Sequence, residues 1–274
     1  LEQADALLSA GRVTAHLDRE RDGLYIRAHV ETANSSGEAT ISELHDRIVE
    51  LRRNGEALES HELLPSQSGG GDEFAELEEW LRGQKVPDLI ELATDLDEEA
   101  EQIVRQGVEY NMALADYGLE HKSGLGVGAS VAEAVEAGVL SDDLLSAARR
   151  ASAAASDARM AGAPLAAMSS SGSGNHGIVA TNIVAAAADY LEVPERRMLE
   201  GVSIAHIITA YIKAHTGRLS ALCGTAVAAG AGAAAGLVHL RGGDMEQQVT
   251  AITNVIEDLA GIACDGAKSS CAFK

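Results

Sequence analysis

From Leu219 to Val238 the chain runs for twenty residues without a charged side chain. A stretch of that length could span a bilayer. Its content is mostly Ala and Gly, however, which gain little from lipid. The reading that fits is a helix enclosed by other helices of a soluble protein, apolar all round because every side is packed. Small residues let neighbouring helices approach closely. Aromatic residues make up only 3% of the chain, so the core is expected to consist of closely packed helices with few bulky anchors. At 274 residues the chain can form one large domain or two ordinary ones.

The pattern predicts an α+β protein: a small α/β domain over residues 1–71, then a mostly all-α domain over 72–274. Residues 24–32, with β-branched and aromatic content in partial alternation, read as a strand, and Asn34-Ser35-Ser36-Gly37 as a turn. Residues 40–51 fit a second strand or, in part, a helix, and Asn54-Gly55 is a tight-turn dipeptide. Pro65-Ser66-Gln67-Ser68-Gly69-Gly70-Gly71 is the best linker candidate. Beyond it, Asp72 is placed to cap a helix, and Pro87 fits the first position of a long helix running towards Tyr117. Ser141-Asp142-Asp143 caps another, to about Ala161. Further helices are expected over 178–191, from Pro194 through Leu199, Val202, Ile207, Ile208, Tyr211 and Ile212, over 225–240, and over 244–263.

The formal charge of −21 repels phosphate backbones and anionic lipid heads, which argues against nucleic acid and membrane partners. A small anionic substrate stays compatible, because a local site can override the global field. Homo-oligomerisation is compatible with the sequence. The first residues, Leu1-Glu2-Gln3-Ala4-Asp5, show neither a basic region nor an apolar run of the signal-peptide kind. The chain does not begin with Met and is read as a piece of a longer protein.

Three cysteines, Cys223, Cys264 and Cys271, carry the chemistry. An odd count without an export signal argues against a disulfide framework. Three thiolates are one short of a closed four-cysteine site. A metal centre held that way keeps the open position that Lewis-acid catalysis requires. Cys264 and Cys271 are separated by six residues that include Gly266, a loop able to fold two sulfurs onto one centre. No standard zinc or ferredoxin spacing is matched, and buried cysteines also serve as small hydrophobes.

Ser169-Ser170-Ser171-Gly172-Ser173-Gly174-Asn175-His176-Gly177 is the second informative stretch, a polar loop ahead of a helix expected near Ile178. Open N–H groups at a helix start, with glycines allowing close backbone approach, suit a carboxylate or phosphate. A flexible loop with a good N-cap is the plainer account. His176 is a candidate acid–base group if its pKa lies near neutrality. Lys268, between two candidate ligands, is placed to offset thiolate charge or to bind a carboxylate. His45 lies in the strand-like stretch and could point at the site, while His206, His215 and His239 sit on apolar helices as core or surface residues. Gly124-Leu125-Gly126-Val127-Gly128-Ala129 superficially matches a dinucleotide fingerprint, but a helix rather than a strand is expected before it.

Residues 164–178, Leu222-Cys223-Gly224 and residues 261–272 together resemble three blocks of the bacterial and archaeal L-cysteine desulfidases, relatives of the iron–sulfur L-serine dehydratase alpha chain. The likeness is weaker around Leu44-His45-Asp46-Arg47-Ile48-Val49, where that family tends to read His-Thr-Asn-Ile. His176 stands where the family often has Gln. The family's N-terminal Gly-Cys-Thr-Glu-Pro motif is not among these residues, and the chain by itself is expected to be inactive. The cysteine of that motif is the alternative base to His176.

The resemblance implies an oxygen-sensitive [4Fe–4S] cluster on Cys223, Cys264 and Cys271, and a cluster held by such thiolates implies a reducing, cytoplasmic setting. It also implies a small amino-acid substrate whose carboxylate meets Ser171, Ser173, Gly174, Asn175 and Lys268, and an elimination that releases pyruvate and ammonia. Rival readings are a pyridoxal-phosphate deaminase with its Schiff base on Lys268, and a non-catalytic metal-binding or redox-sensing protein. The pyridoxal-phosphate enzyme requires alternating strands and helices, which the helical pattern after residue 72 does not support.

Overall fold

The computed structural model describes residues 2–18, 21, 24–42, 47–64, 70–264 and 266–274. His45 and residues 65–69 of the expected linker lie outside the described residues. The chain divides into two compact units, Leu1–Ala75 and Glu76–Lys274.

The first unit carries helix α1 (Glu2–Ser9) and an antiparallel meander of β1 (Tyr25–Glu31), β2 (Ser36–Ser42), β3 (Ile48–Arg53) and β4 (Glu56–Ala57). Tyr25 pairs with Ser42 and Glu31 with Ser36, which puts Asn34 and Ser35 at the hairpin tip. The expected strand-or-helix over 40–51 is two strands: β2 ends at Ser42 and β3 begins at Ile48, with a register shift at Thr40/Ile41. Asn54 and Gly55 both take positive φ, 53° and 84°, and join β3 to β4. That pair of conformations matches the right-handed twist of the flanking strands.

Helix α2 (Gly70–Gly83) begins in the last residues of the first unit and runs into the second, which is helical: α3 (Val86–Thr94), α4 (Glu98–His121), α5 (Val127–Glu136), α6 (Leu144–Met160), α7 (Gly174–Tyr190), α8 (Glu195–Thr216), α9 (Gly230–Leu240) and α10 (Met245–Leu259). A π-helical turn (Thr225–Ala229) precedes α9, and a 3₁₀ segment (Ser269–Phe273) follows α10. Side-chain caps set three of the helix starts among the described residues. Asp97, Asp143 and Asp244 each accept a first-turn backbone N–H, and Asp244 with Gln247 completes a capping box.

Four expectations are corrected here. Helix α2 starts at Gly70, so Asp72 lies inside it rather than ahead of it. The long helix from Pro87 is two helices. Arg196 donates to the carbonyls of Thr94 and Leu96, satisfying the end of α3, while Asp97 caps α4. Helix α5 was not foreseen. Its first turn is closed by the buried Asp157 carboxylate, which accepts from the N–H groups of Leu125 and Gly128. The glycine-rich stretch before it therefore already holds an internal anion, and α4 rather than a strand precedes it. Helix α10 ends at Leu259, short of the expected Ala263.

The uncharged segment sits at the centre. Helix α9 packs on α8, α7 and α10, with Ala231, Ala233 and Ala235 almost fully buried. A Cβ on Gly232 would lie 2.9 Å from the Thr209 hydroxyl and 3.0 Å from the Ala205 carbonyl carbon. The small side chains thus set the distance of α9 from α8. Around this pair, Ile204, Ile208 and Ile212 meet Ile90 and Ile252, and Val202 and Ala205 meet Val179 and Val184. Full burial of one such aliphatic side chain is worth about 1.5–3 kcal/mol. No helix among the described residues is long and apolar enough to cross a membrane.

Candidate functional site

Two of the three cysteines are brought together by backbone pairing. Leu222 and Ala263 form an isolated antiparallel bridge. The Cys223 N–H donates to the Ile262 carbonyl at 2.9 Å, and the Cys264 N–H donates to the Ala221 carbonyl at 2.8 Å. The loop ahead of the π-turn and the loop after α10 therefore run side by side, each with a cysteine at the junction. Cys223 is buried and Cys264 exposed. Cys271 lies in the 3₁₀ segment, half-buried, with its thiol donating to the Gly266 carbonyl at 3.3 Å. All three are free thiols. Among the described residues no three His, Cys, Asp or Glu side chains are disposed to hold a single metal ion.

His176 and Asn175 are not on a loop. Helix α7 begins at Gly174, four residues before the expected start, so both side chains project from its first turn and both are buried. The polar loop itself closes as a tight hairpin. Ser170 and Ser173 exchange backbone hydrogen bonds at 3.1 Å, with Ser171 and Gly172 at positive φ of 48° and 78°. Ser173 occupies the cap position of α7, but its hydroxyl makes no capping bond. The plainer account of this loop as an N-cap therefore fails. Ser171 and Ser173 are half-buried beside the start of α7.

His176 links the loop to the sulfurs. A Cβ on Gly224, next to Cys223, would lie 2.6 Å from the His176 Cε1. The imidazole thus fills the space over Gly224. Its Nδ1 is buried without a hydrogen-bond partner among the described residues. Burial, reinforced by the charges of Lys213 and Arg159, lowers its pKa to about 4. His176 is therefore neutral at neutral pH.

Two cations that sequence reasoning missed complete the site. Lys213, in the last turn of α8, is only 2% exposed, and its Nζ donates to the Ser220 hydroxyl at 2.9 Å. Burial pushes its pKa down, while the fields of Cys264 and Cys223 partly hold it up. Arg159, at the end of α6, donates from Nη1 to the Asn175 Oδ1 at 3.1 Å and lies over Gly174. Burial lowers its pKa too, opposed by Cys271. The signal was present in the spacing. Ala205, Thr209 and Lys213 share one inward stripe of α8, as Ala151, Ala155 and Arg159 do on α6. Lys268 is exposed, and no hydrogen bond or ion pair of its side chain occurs among the described residues. His206 shares a hydrogen bond at 3.1 Å with Thr181, part of a core network that includes Asn111.

Residues 24–274 match the serine dehydratase alpha chain family. The chain belongs to that family. Its relatives include UPF0597 proteins of Desulfotalea psychrophila, 45% identical over 99% of this chain and 62% of the relative, and of Clostridioides difficile, 37% identical over 93% and 59%. A UPF0597 protein of Caldanaerobacter subterraneus is 33% identical over the whole chain and 62% of the relative. The chain thus spans about three fifths of the length of these relatives. No solved structure matches it.

The buried histidines make stability pH-dependent. Both His176 and His206 fall from the ordinary 6.5 to about 4, burial being the leading cause. Between these values the unfolded chain binds protons that the folded chain refuses, so stability falls as pH falls from about 6.5 to 4 and is level above that window. Each group contributes up to about 3 kcal/mol of that loss. Urea unfolding at pH 7, 5.5 and 4 is expected to show a shallower pH slope in His206→Asn and His176→Asn than in the parent chain.

Proposed function

We propose that this chain is the cluster-binding part of an iron–sulfur lyase that deaminates a small β-substituted amino acid, L-cysteine or L-serine, by elimination. The observation that carries the reading is the Leu222–Ala263 bridge, which sets Cys223 beside Cys264 next to His176. The donor set suits a [4Fe–4S] cluster on Cys223, Cys264 and Cys271. Three thiols leave one iron without a protein ligand, and a four-iron cluster spreads its ligands more widely than a single ion does. Lys213 and Arg159 stand where thiolate charge would otherwise accumulate in a buried site. When bound, the cluster supplies a Lewis-acidic iron that weakens the bond from the substrate's Cβ to its hydroxyl or thiol.

The protein's own groups do the rest. Ser171, Ser173, Gly174 and Asn175, at the uncapped start of α7, receive the substrate carboxylate on backbone N–H and side-chain donors. Lys268 is a further candidate at the rim, from the exposed loop between the two ligands. Arg159 holds Asn175 in place for that contact. His176 is the candidate to take up the Cα proton, provided that the anionic carboxylate of the substrate beside it raises its pKa from about 4 towards neutrality. The Cα–H and Cβ–X bonds break, hydrogen sulfide or water departs, and the aminoacrylate that remains hydrolyses to pyruvate and ammonia.

Anaerobic reconstitution of the full-length protein with iron and sulfide tests this. The expected result is charge-transfer absorption in the visible range, followed by pyruvate release from L-cysteine or L-serine. A reconstituted protein that takes up iron but releases no pyruvate from either would leave only a metal-binding role.

A further inference from the structure

We propose that Lys213 is a carboxylate-binding residue of this site, with Arg159 as its positioning partner, so that the pair selects substrates carrying a carboxylate. The proposal rests on the lyase reading for the identity of the substrate. It stands independently on three observations about the cations.

First, a lysine 2% exposed is costly to keep charged unless an anion faces it. Among the described residues no carboxylate pairs with Lys213 or Arg159, although the chain carries 42 acidic side chains. Among the described residues the anions acting on them are the sulfurs of Cys223, Cys264 and Cys271, whose charge the proposed cluster would share with iron. Second, the two cations converge on one place. Both charges act on His176, the Lys213 Cδ would lie 3.2 Å from a Cβ on Gly224, and Arg159 touches Gly174 and Asn175. Third, their donors are differently committed. Arg159 spends Nη1 on Asn175, which fixes that amide. Lys213 spends one donor on Ser220, whose hydroxyl is itself anchored by donating to the Leu222 carbonyl at 3.0 Å. An ammonium has three donors, so two remain for an incoming anion. A buried cation on a fixed hydroxyl, beside a neutral imidazole, is suited to hold a carboxylate while the adjacent Cα is deprotonated.

The test compares ligands that differ only in that group. L-Alanine has no leaving group and binds without turnover, and L-alaninamide lacks the carboxylate. Calorimetric titration of full-length wild-type protein, iron-loaded and iron-free, is expected to favour L-alanine over the amide by at least about 30-fold, the scale of a buried charge-assisted contact. Lys213→Met is expected to cut that ratio by about tenfold, the donors at the start of α7 keeping the remainder, and Lys213→Arg to restore most of it. Lys213→Gln keeps a donor for Ser220 and serves in place of the methionine variant should that fail to fold. Undiminished discrimination in Lys213→Met or Lys213→Gln overturns the proposal. The lyase reading fails separately, through iron content and pyruvate release in the wild-type protein, neither of which enters this ratio.

Discussion

Cys223→Ala is expected to strip the reconstituted full-length protein of its cluster and of lyase activity while leaving the fold in place. Loss of a side chain that only hydrogen-bonds to a metal ligand costs about 10–100-fold, so loss of a ligand is expected to exceed about 100-fold. The structural cost is small by comparison. Cys223 is 4% exposed, and trimming one sulfur from a buried side chain removes about 1 kcal/mol of burial. The backbone pairing with Ile262 uses main-chain atoms and survives the change. Iron and acid-labile sulfide content, pyruvate release and urea midpoint, measured on one preparation, separate the two effects. Retention of full iron content by the variant would remove Cys223 from the ligand set and with it the proposed centre.

Gly177→Ala should be the most damaging single-methyl change in this region. A Cβ there would overlap the Met168 carbonyl oxygen and lie 2.8 Å from the carbonyl carbon. The obstacle is backbone, and it is pinned. Asn111 donates from Nδ2 to the Met168 carbonyl at 3.1 Å and accepts from the Met168 N–H at 2.9 Å. Neither side can yield without breaking that clamp, so a loss of about 3–5 kcal/mol is expected, at or above the upper end for overpacking. Gly83→Ala, whose Cβ would meet nothing within 4 Å, is the control and should stay within about 0.5 kcal/mol. Comparable urea midpoints for the two variants would mean that the first turn of α7 is not held against Met168.

The helical character of the second unit was legible because its caps are local. Asp143, Pro194 and Asp244 mark the starts of α6, α8 and α10 in sequence and in structure alike. What was not legible depends on distant partners. The break between α3 and α4 relies on Arg196, about a hundred positions away, and α5 relies on the buried Asp157. Within the site, the cysteines and the serine-glycine loop stand out by residue type. Lys213 does not, because a lysine in the last turn of a helix ordinarily sits in solvent and complements the helix dipole. Only the inward stripe that it shares with Ala205 and Thr209 distinguishes it, and that stripe becomes informative once α9 is known to cover it. His176 was expected on a loop and lies instead in the first turn of α7. The glycines and Asn175 argued for a loop, while tertiary contacts with Arg159 and Gly224 stabilise an earlier helix start.

The π-turn at Thr225–Ala229 gives this family member a form of freedom. Such a turn is what one extra residue leaves in a helix, and each residue carries about 100° of rotation. Ahead of the bulge, the chain is out of phase with α9 by roughly that angle. Cys223 meets this turn through its carbonyl, which accepts from the Val227 N–H at 3.0 Å, so the direction of its sulfur follows the bulge rather than the face that α9 presents to α8. Substitutions that repack the central helix pair can then leave the neighbourhood of Cys264 and His176 in place.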